Sequence, residues 1–141
     1  MLTGFVSDAL AMGIGRAMQQ VAEVHVVRQV VKKFSFAFDG LKAAYRLEQS
    51  FRIQLAVSAV IVFVGSVLGL AKIEWLFLIT SIGVVLSLEL LNAMIEKMLD
   101  LLHPARHDSV KLIKDVSAAA VLISSLAAAI VGLLVFARHF F

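Results

Sequence analysis

The sequence predicts an all-α membrane protein with three transmembrane helices, and composition and charge pattern carry that prediction. Hydrophobic residues make up 61% of the 141-residue chain and charged residues 16%. A soluble domain has roughly 45–50% hydrophobic and about 25% charged residues. Three stretches contain no Asp, Glu, Lys or Arg: residues 53–71, 75–88 and 116–137. Since a helix needs about 20 apolar residues to cross a bilayer, the composition excludes an ordinary soluble enzyme.

The chain divides into an N-terminal extension and a membrane domain. We expect residues 1–33, the extension, to be retained, because Asp8 interrupts its apolar residues and no basic segment precedes them, unlike in a signal peptide. A second surface helix there is predicted by the spacing of apolar and charged residues, although valine is a poor helix former: Val21, Val24, Val27 and Val31 with Glu23, Arg28 and Lys32. The membrane domain, residues 34–141, contains a predicted surface helix at 34–51 and spans at about 53–71, 75–102 and 112–137.

Residues 34–51 have the pattern of an amphipathic helix that lies on a membrane surface. At about 100° per residue, they separate into an apolar and a polar face: Phe34, Phe38, Leu41 and Tyr45 against Ser35, Asp39, Lys42, Arg46 and Gln49. Glu48 follows Tyr45 by three residues on the apolar face, so we expect its carboxylate to point toward the helix bundle. The alternative is that the helix ends there and Glu48 is solvated.

The distribution of basic residues predicts a cytoplasmic N-terminus. Eleven of the 13 Lys and Arg residues lie before or at the start of the first span, or between the second and third spans. Only Lys72 and Arg138 fall on the other side. Because cytoplasmic loops collect positive charge, we expect the C-terminus outside, with Trp75, Phe77 and residues 136–141 near the outer interface.

Four oxygen-bearing side chains follow one face of the second span: Glu89, Asn92, Glu96 and Asp100. Spacings of three, four and four residues place them within an arc of about 80° on a helix with 3.6 residues per turn. Carboxylates four residues apart repel each other, and one at membrane depth costs about 2.5 kcal/mol or more. A hard divalent cation such as Mg²⁺ would compensate. The alternative is a helix that leaves the membrane there with ordinary solvated acids.

A second polar group precedes the third span. Lys111 and Lys114 share a helix face that suits phosphate oxygens, and Asp115 could accept from a ribose or adenine group. A positive anchor on the cytoplasmic side explains the lysines equally well.

Several other chemistries are excluded or disfavoured. The chain has no cysteine, so thiolate metal sites are excluded. His103 and His107 have a spacing seen in zinc sites, but Pro104 lies between them and no third soft ligand is near. No Gly-rich loop is followed by Lys and Ser or Thr, so any nucleotide is held without a P-loop. The net charge of +3 is modest, and no nucleic-acid partner is expected.

Three ordered motifs resemble the prokaryotic integral-membrane diacylglycerol kinase and undecaprenol kinase family. They are Phe-Ala-Phe-Asp-Gly-Leu-Lys from Phe36 continuing to Arg-Leu-Glu-Gln-Ser-Phe-Arg around Glu48, Glu-x-x-Asn-x-x-x-Glu from Glu89, and Ile-Lys-Asp ending at Asp115. The resemblance implies a homotrimer of three-span subunits in the bacterial inner (plasma) membrane. It also implies phosphorylation of a membrane lipid alcohol, with ATP and Mg²⁺, at the cytoplasmic interface.

Carried over by position, the resemblance implies a role for each of eight residues. Glu89 is the general base and Asn92 orients the catalytic group. Glu48 and Glu96 are the ligands of the Mg²⁺ that bridges ATP. The nucleotide contacts are Phe36, His107, Lys114 and Asp115.

The chain departs from the family pattern in places, and other functions remain open. Ala105 and Arg106 stand where the family often has Glu and Tyr, which puts nucleotide contacts from these two positions in doubt. Residues 51–55 resemble the undecaprenol kinase branch more than the diacylglycerol kinase branch. The alternatives are an ion-conducting membrane protein that uses Glu89 as its ion site, and a noncatalytic membrane scaffold. The first requires a polar route to the outer face, and the second requires Glu89→Gln to be harmless.

Overall fold

The computed structural model describes residues 28–103 and 107–140, and these residues form four helices with no strand. The helices are α1 (28–47), α2 (Gln49–Leu68), α3 (Lys72–Leu102) and α4 (Asp108–Phe140). Three of them are long and apolar enough to cross a membrane, which confirms the predicted all-α membrane fold. The chain divides into two compact units, residues 1–43 and 44–141.

The described part of the first unit, residues 28–43, is an exposed helical segment. Its aromatic residues are open to the surroundings, with Phe34 64% and Phe38 68% exposed. The Nζ of Lys32 lies 5.8 Å from the centroid of the Phe36 ring, within cation–π range. Exposed aromatic rings with basic neighbours are typical of a helix that lies at a membrane interface.

The predicted surface helix at 34–51 is interrupted at Glu48. Glu48 has extended backbone angles, φ −109° and ψ 113°, although its N–H still bonds to the carbonyl of Ala44 at 2.9 Å. The helical pattern in the sequence gives no sign of this break, because the residues after it continue the same periodicity. The part of the predicted second surface helix before residue 28 lies outside the described residues, and so does the segment 104–106.

The spans differ in extent from the charge-free stretches that predicted them. α2 begins at Gln49 and includes Arg52, while α3 begins at Lys72 and α4 at Asp108. A helix continues for as long as its backbone hydrogen bonds do, so charged residues extend it beyond the hydrocarbon core. In the most apolar windows of the three spans, only 11%, 11% and 6% of the residues are buried inside the protein. Most of their apolar surface therefore remains available to lipid or to other subunits.

A tight turn joins α2 to α3 and fixes their pairing. Gly69 takes the left-handed conformation, with φ 68°, and ends α2, as glycine does at many helix C-termini. Gly65, one turn earlier, is buried, and a Cβ there would lie 2.8 Å from Leu70 Cδ1 and 3.2 Å from the Trp75 ring. Only glycine allows this close approach.

A small apolar core lies at the same end of the second unit. Leu70, Leu78 and Val135 are buried together, with Trp75 and Phe136 packed against them. Glu74 is also buried there; its carboxylate accepts the N–H of Ala71 at 2.7 Å and so caps the start of α3. α4 packs on α3 over a longer surface than α2 does. The polar residues of the candidate site lie toward the opposite end of α3.

Candidate active site

Glu89 is the deepest acidic residue of the predicted stripe, and it is 5% exposed. The side-chain amide of Gln54 on α2 donates a hydrogen bond from Nε2 to Glu89 Oε2 at 3.0 Å. A buried carboxylate requires such a donor, because taking it out of water without a partner costs several kcal/mol. This contact places the first and second spans together at Glu89.

Asn92 connects the acidic stripe of α3 to α4. Its Nδ2 donates to Glu96 Oε1 at 3.2 Å, and its Oδ1 accepts from the Ser117 hydroxyl at 2.6 Å. The amide is therefore held at both ends, which fixes the orientation of Glu96. The orienting role that the resemblance implies for Asn92 stays a prediction.

Glu48 faces α3, as expected from its place on the apolar face. Its Oε1 lies 3.2 Å from the Nζ of Lys97, and its side chain is 21% exposed. The alternative expectation is half correct, because the helix does end there, but Glu48 is not fully solvated. Lys97 directly follows Glu96 in α3. The ion pair therefore holds the helix break at Glu48 next to the part of α3 that carries Glu96.

The donor set fits a Mg²⁺ ion shared between protein and phosphate. Glu48 and Glu96 offer only oxygen atoms, and Mg²⁺ is usually held by one or two carboxylates together with substrate phosphates and water. Within residues 28–103 and 107–140, no three His, Asp or Glu side chains are grouped as a metal site. A cation at Glu48 and Glu96 would therefore depend on the phosphates of a nucleotide for further ligands.

Lys114 is paired across the α3–α4 interface. Its ammonium group forms a salt bridge with Asp100, the last acid of the stripe, and its side chain is 31% exposed. Lys111 pairs instead with Asp115 at 3.3 Å along α4, where both side chains are exposed. An exposed pair of this kind is worth about 0–1 kcal/mol, so either partner can exchange it for a ligand at little cost.

Two predicted site residues remain to be described. His107 is exposed before α4, and its Nδ1 accepts the backbone N–H of Ser109 at 3.2 Å. Phe36 belongs to the first unit, where it is 62% exposed and lies beside Lys32.

Three partners of the site were missed in the sequence. Gln54 lies six residues after Glu48, Lys97 follows Glu96, and Ser117 lies one helical turn after Lys114. The spacing of Ser117 was a usable signal, since residues three apart share a helix face. No signal in the sequence indicated the Gln54–Glu89 contact, because it depends on how α2 is rotated against α3.

Comparison with known proteins identifies the family. Residues 35–136 match the family model for prokaryotic diacylglycerol kinase. The chain belongs to this family. The matched range contains all eight predicted site residues.

Named relatives agree with that assignment. The chain is 35% identical over 105 residues to the undecaprenol kinase of Bacillus subtilis (strain 168), covering 74% of this chain and 85% of the relative. It is 31% identical over 95 residues to the diacylglycerol kinase of Haemophilus influenzae, covering 67% and 80%. It is 30% identical over 112 residues to that of Escherichia coli (strain K12), covering 79% and 92%. The chain is therefore a lipid kinase, and the noncatalytic and ion-conducting alternatives lose their support.

Proposed function

We propose that the protein transfers the γ-phosphoryl group of ATP, with Mg²⁺, to the primary hydroxyl of a membrane lipid alcohol at the cytoplasmic interface. One observation carries the proposal: the polar face of α3 runs from Glu89, buried at 5% exposure, to the exposed Asp100. Eleven residues of helix correspond to about 16 Å. A lipid hydroxyl can therefore meet Glu89 at depth while a nucleotide occupies the polar end of the same face.

Glu89 acts as the general base. The Gln54 amide donates a hydrogen bond to one of the Glu89 carboxylate oxygens, and the other oxygen can accept the hydroxyl proton of the substrate. A primary alcohol is a very weak acid, so the proton moves late, as the new bond to phosphorus forms. Asn92 orients the adjoining part of the site through Glu96.

Glu48 and Glu96 would hold the metal, which would supply charge neutralisation for the transferring phosphoryl group. Lys97 competes with the metal for Glu48, because the Lys97 ammonium group already pairs with that carboxylate. Lys97 is 61% exposed, so the pair opens at small cost and lets Glu48 turn to the cation.

The nucleotide contacts come from the start of α4 and from α1. Lys114 exchanges Asp100 for phosphate oxygens, and Asp115 accepts from the ribose or base. His107, just before α4, is exposed, and the resemblance adds Phe36, an exposed residue of the first unit. Each of these contacts follows from the position of the residue in the family motifs.

We propose a homotrimer in the bacterial plasma membrane, with the N-terminus in the cytoplasm and the C-terminus outside. The charge distribution of the chain supports this orientation. The trimer follows from the family resemblance, and the apolar surface that one subunit leaves uncovered is available to it as well as to lipid.

The proposed substrate is undecaprenol rather than diacylglycerol. Supporting this choice, residues 51–55 resemble the undecaprenol branch, and the Bacillus subtilis undecaprenol kinase is a relative at 35% identity, against 30% to 32% for three diacylglycerol kinases.

The direct test offers both lipids to the purified protein in mixed micelles, at equal mole fraction, with Mg²⁺ and ATP. We expect phosphate on undecaprenol at the higher rate. A tenfold preference for diacylglycerol would contradict the substrate choice and leave the kinase assignment intact. If neither lipid accepts phosphate, the proposed function is wrong.

A further inference from the structure

Gln54 has one half of its side-chain amide satisfied and the other half without a partner. Its Nε2 donates to Glu89 Oε2 at 3.0 Å. Its Oε1 is buried and has no hydrogen-bond partner within the described structure. Buried side-chain acceptors are normally paired, and leaving one unpaired costs about 1–3 kcal/mol.

The orientation of this amide is set by chemistry. An ionised carboxylate can only accept hydrogen bonds, so the amide must offer it an N–H. The flipped amide would place its carbonyl oxygen against Glu89, where the two oxygen atoms repel each other. The unpaired atom is therefore the carbonyl oxygen, and it calls for a donor.

The space beside Gln54 indicates what kind of molecule supplies that donor. Gln54 lines a groove of about 550 Å³ between α2, α3 and α4, whose other walls include Ile61, Val85 and Leu133. Ser58 also lines it, but its hydroxyl donates to the backbone carbonyl of Gln54 at 2.7 Å. Ser125 is the third polar residue of the lining, so a bound water, which needs about two to four polar partners, finds few there besides Gln54. A hydrocarbon chain that ends in one hydroxyl matches both the largely apolar wall and the one buried side-chain acceptor that lacks a partner among the described residues.

We infer that Gln54 is a positioning residue for the reacting hydroxyl; the inference rests on the proposed function. Nε2 holds the carboxylate of Glu89, and Oε1 accepts the hydrogen of the lipid hydroxyl while the chain of the lipid lies in the groove. The hydroxyl oxygen is then held next to the base before the nucleotide arrives.

Phosphoryl transfer from this arrangement is balanced. The lipid oxygen forms a bond to the γ-phosphorus, and the bond from that phosphorus to the β–γ bridging oxygen breaks. ADP leaves with the electron pair of the broken bond. The hydroxyl hydrogen turns from Gln54 Oε1 to the free carboxylate oxygen of Glu89. The O–H bond of the lipid breaks as its oxygen bonds to phosphorus, and the proton stays on Glu89 until the products leave.

The kinetic test replaces Gln54 by methionine, which has nearly the same length and no amide. We expect Gln54→Met to lower kcat about 10- to 100-fold, the scale of a misplaced reacting group, while KM for Mg-ATP stays within about twofold. Gln49→Met is the matched control, because Gln49 is an exposed amide on the same helix, and it should retain wild-type kcat. Gln54→His keeps one donor and one acceptor and should recover a large part of the rate.

A binding test keeps the inference falsifiable if Gln54→Met is poorly folded or inactive for another reason. Without ATP, the wild-type protein is offered a prenol and its methyl ether in competition with a fluorescent lipid. The ether lacks the hydroxyl donor, so the wild type should bind the prenol about fivefold more tightly, the effect of one hydrogen bond. Gln54→His, which retains an acceptor, should keep the preference, and Gln54→Met should lose it.

Equal binding of prenol and ether by the wild type, or full kcat in Gln54→Met, would overturn the inference. Either result leaves the proposed function standing as long as the wild-type protein phosphorylates a lipid. If the wild type phosphorylates neither lipid, the proposed function itself has failed.

Discussion

The ammonium group of Lys97 lies 3.2 Å from a carboxylate oxygen of Glu48 and joins the break between α1 and α2 to the polar end of α3. Glu48 is itself a candidate metal ligand, and Lys97 directly follows Glu96, the other candidate ligand. The pair keeps Glu48 beside the stripe with its charge compensated. Because Lys97 is 61% exposed, the compensation is weak enough for a cation to replace it.

The Mg²⁺ concentration needed for half-maximal activity should rise when a carboxylate is removed and fall when the paired lysine is removed. Glu48→Gln or Glu96→Gln removes a carboxylate and should raise the Mg²⁺ concentration needed for half-maximal activity. Lys97→Met removes the competing charge and should lower that concentration by up to about fivefold, the scale of an exposed ion pair. The measurement is a Mg²⁺ titration of initial rates at fixed ATP.

A control separates competition at Glu48 from a general effect of positive charge. Lys42→Met also removes an exposed lysine, and Lys42 has no proposed role in the site. It should leave the Mg²⁺ midpoint unchanged. A similar decrease in both lysine variants would contradict the competition.

Glu89→Gln should abolish most of the activity without loss of the nucleotide site. Glutamine cannot accept the proton, so we expect a rate decrease of at least about a hundredfold, as for loss of a general base. Binding of Mg-ATP should remain near the wild-type value, because Glu89 lies about 10 Å along the helix from Glu96 by the rise of 1.5 Å per residue. Rates in mixed micelles and nucleotide binding by calorimetry provide the two measurements.

Asp108→Asn is the matched control, since it changes an exposed acid in the first turn of α4. It should keep wild-type rates. Near-normal turnover in Glu89→Gln would remove Glu89 from the reaction.

The sequence was sufficient for those features that depend on one helix at a time. The charge-free stretches predicted the three spans, and the spacing of Glu89, Asn92 and Glu96 predicted their common face. Pairing between helices was not accessible, because the Gln54–Glu89 contact depends on the rotation of two helices about their axes. The break at Glu48 was predicted only as an alternative, for a related reason: a single non-helical residue leaves the periodicity on either side nearly intact.

Two glycines provide a test of the packing between α2 and α3. Gly65→Ala places a Cβ 2.8 Å from Leu70 Cδ1 and 3.2 Å from the Trp75 ring, so we expect a loss of about 1–3 kcal/mol, typical of overpacking. Gly83→Ala meets nothing within 4 Å in the middle of α3 and should be stabilising by up to about 1 kcal/mol through helix propensity. Thermal unfolding in detergent measures both. Equal melting temperatures for the two variants would contradict the described packing of the turn.

The orientation in the membrane can be tested with single cysteines, because the natural chain has none. Ser109→Cys lies on the exposed first turn of α4, and Ala137→Cys lies near its exposed end. About 28 residues of helix separate them, or about 42 Å at 1.5 Å per residue, which exceeds the hydrocarbon thickness of about 30 Å. The two positions should therefore lie on opposite sides of the membrane. The positive-inside distribution places position 109 in the cytoplasm, so in intact cells a membrane-impermeant maleimide should label Ala137→Cys and should label Ser109→Cys only after the membrane is opened. The reverse pattern would invert the topology and move Glu96, Asp100 and the proposed nucleotide site away from cytoplasmic ATP.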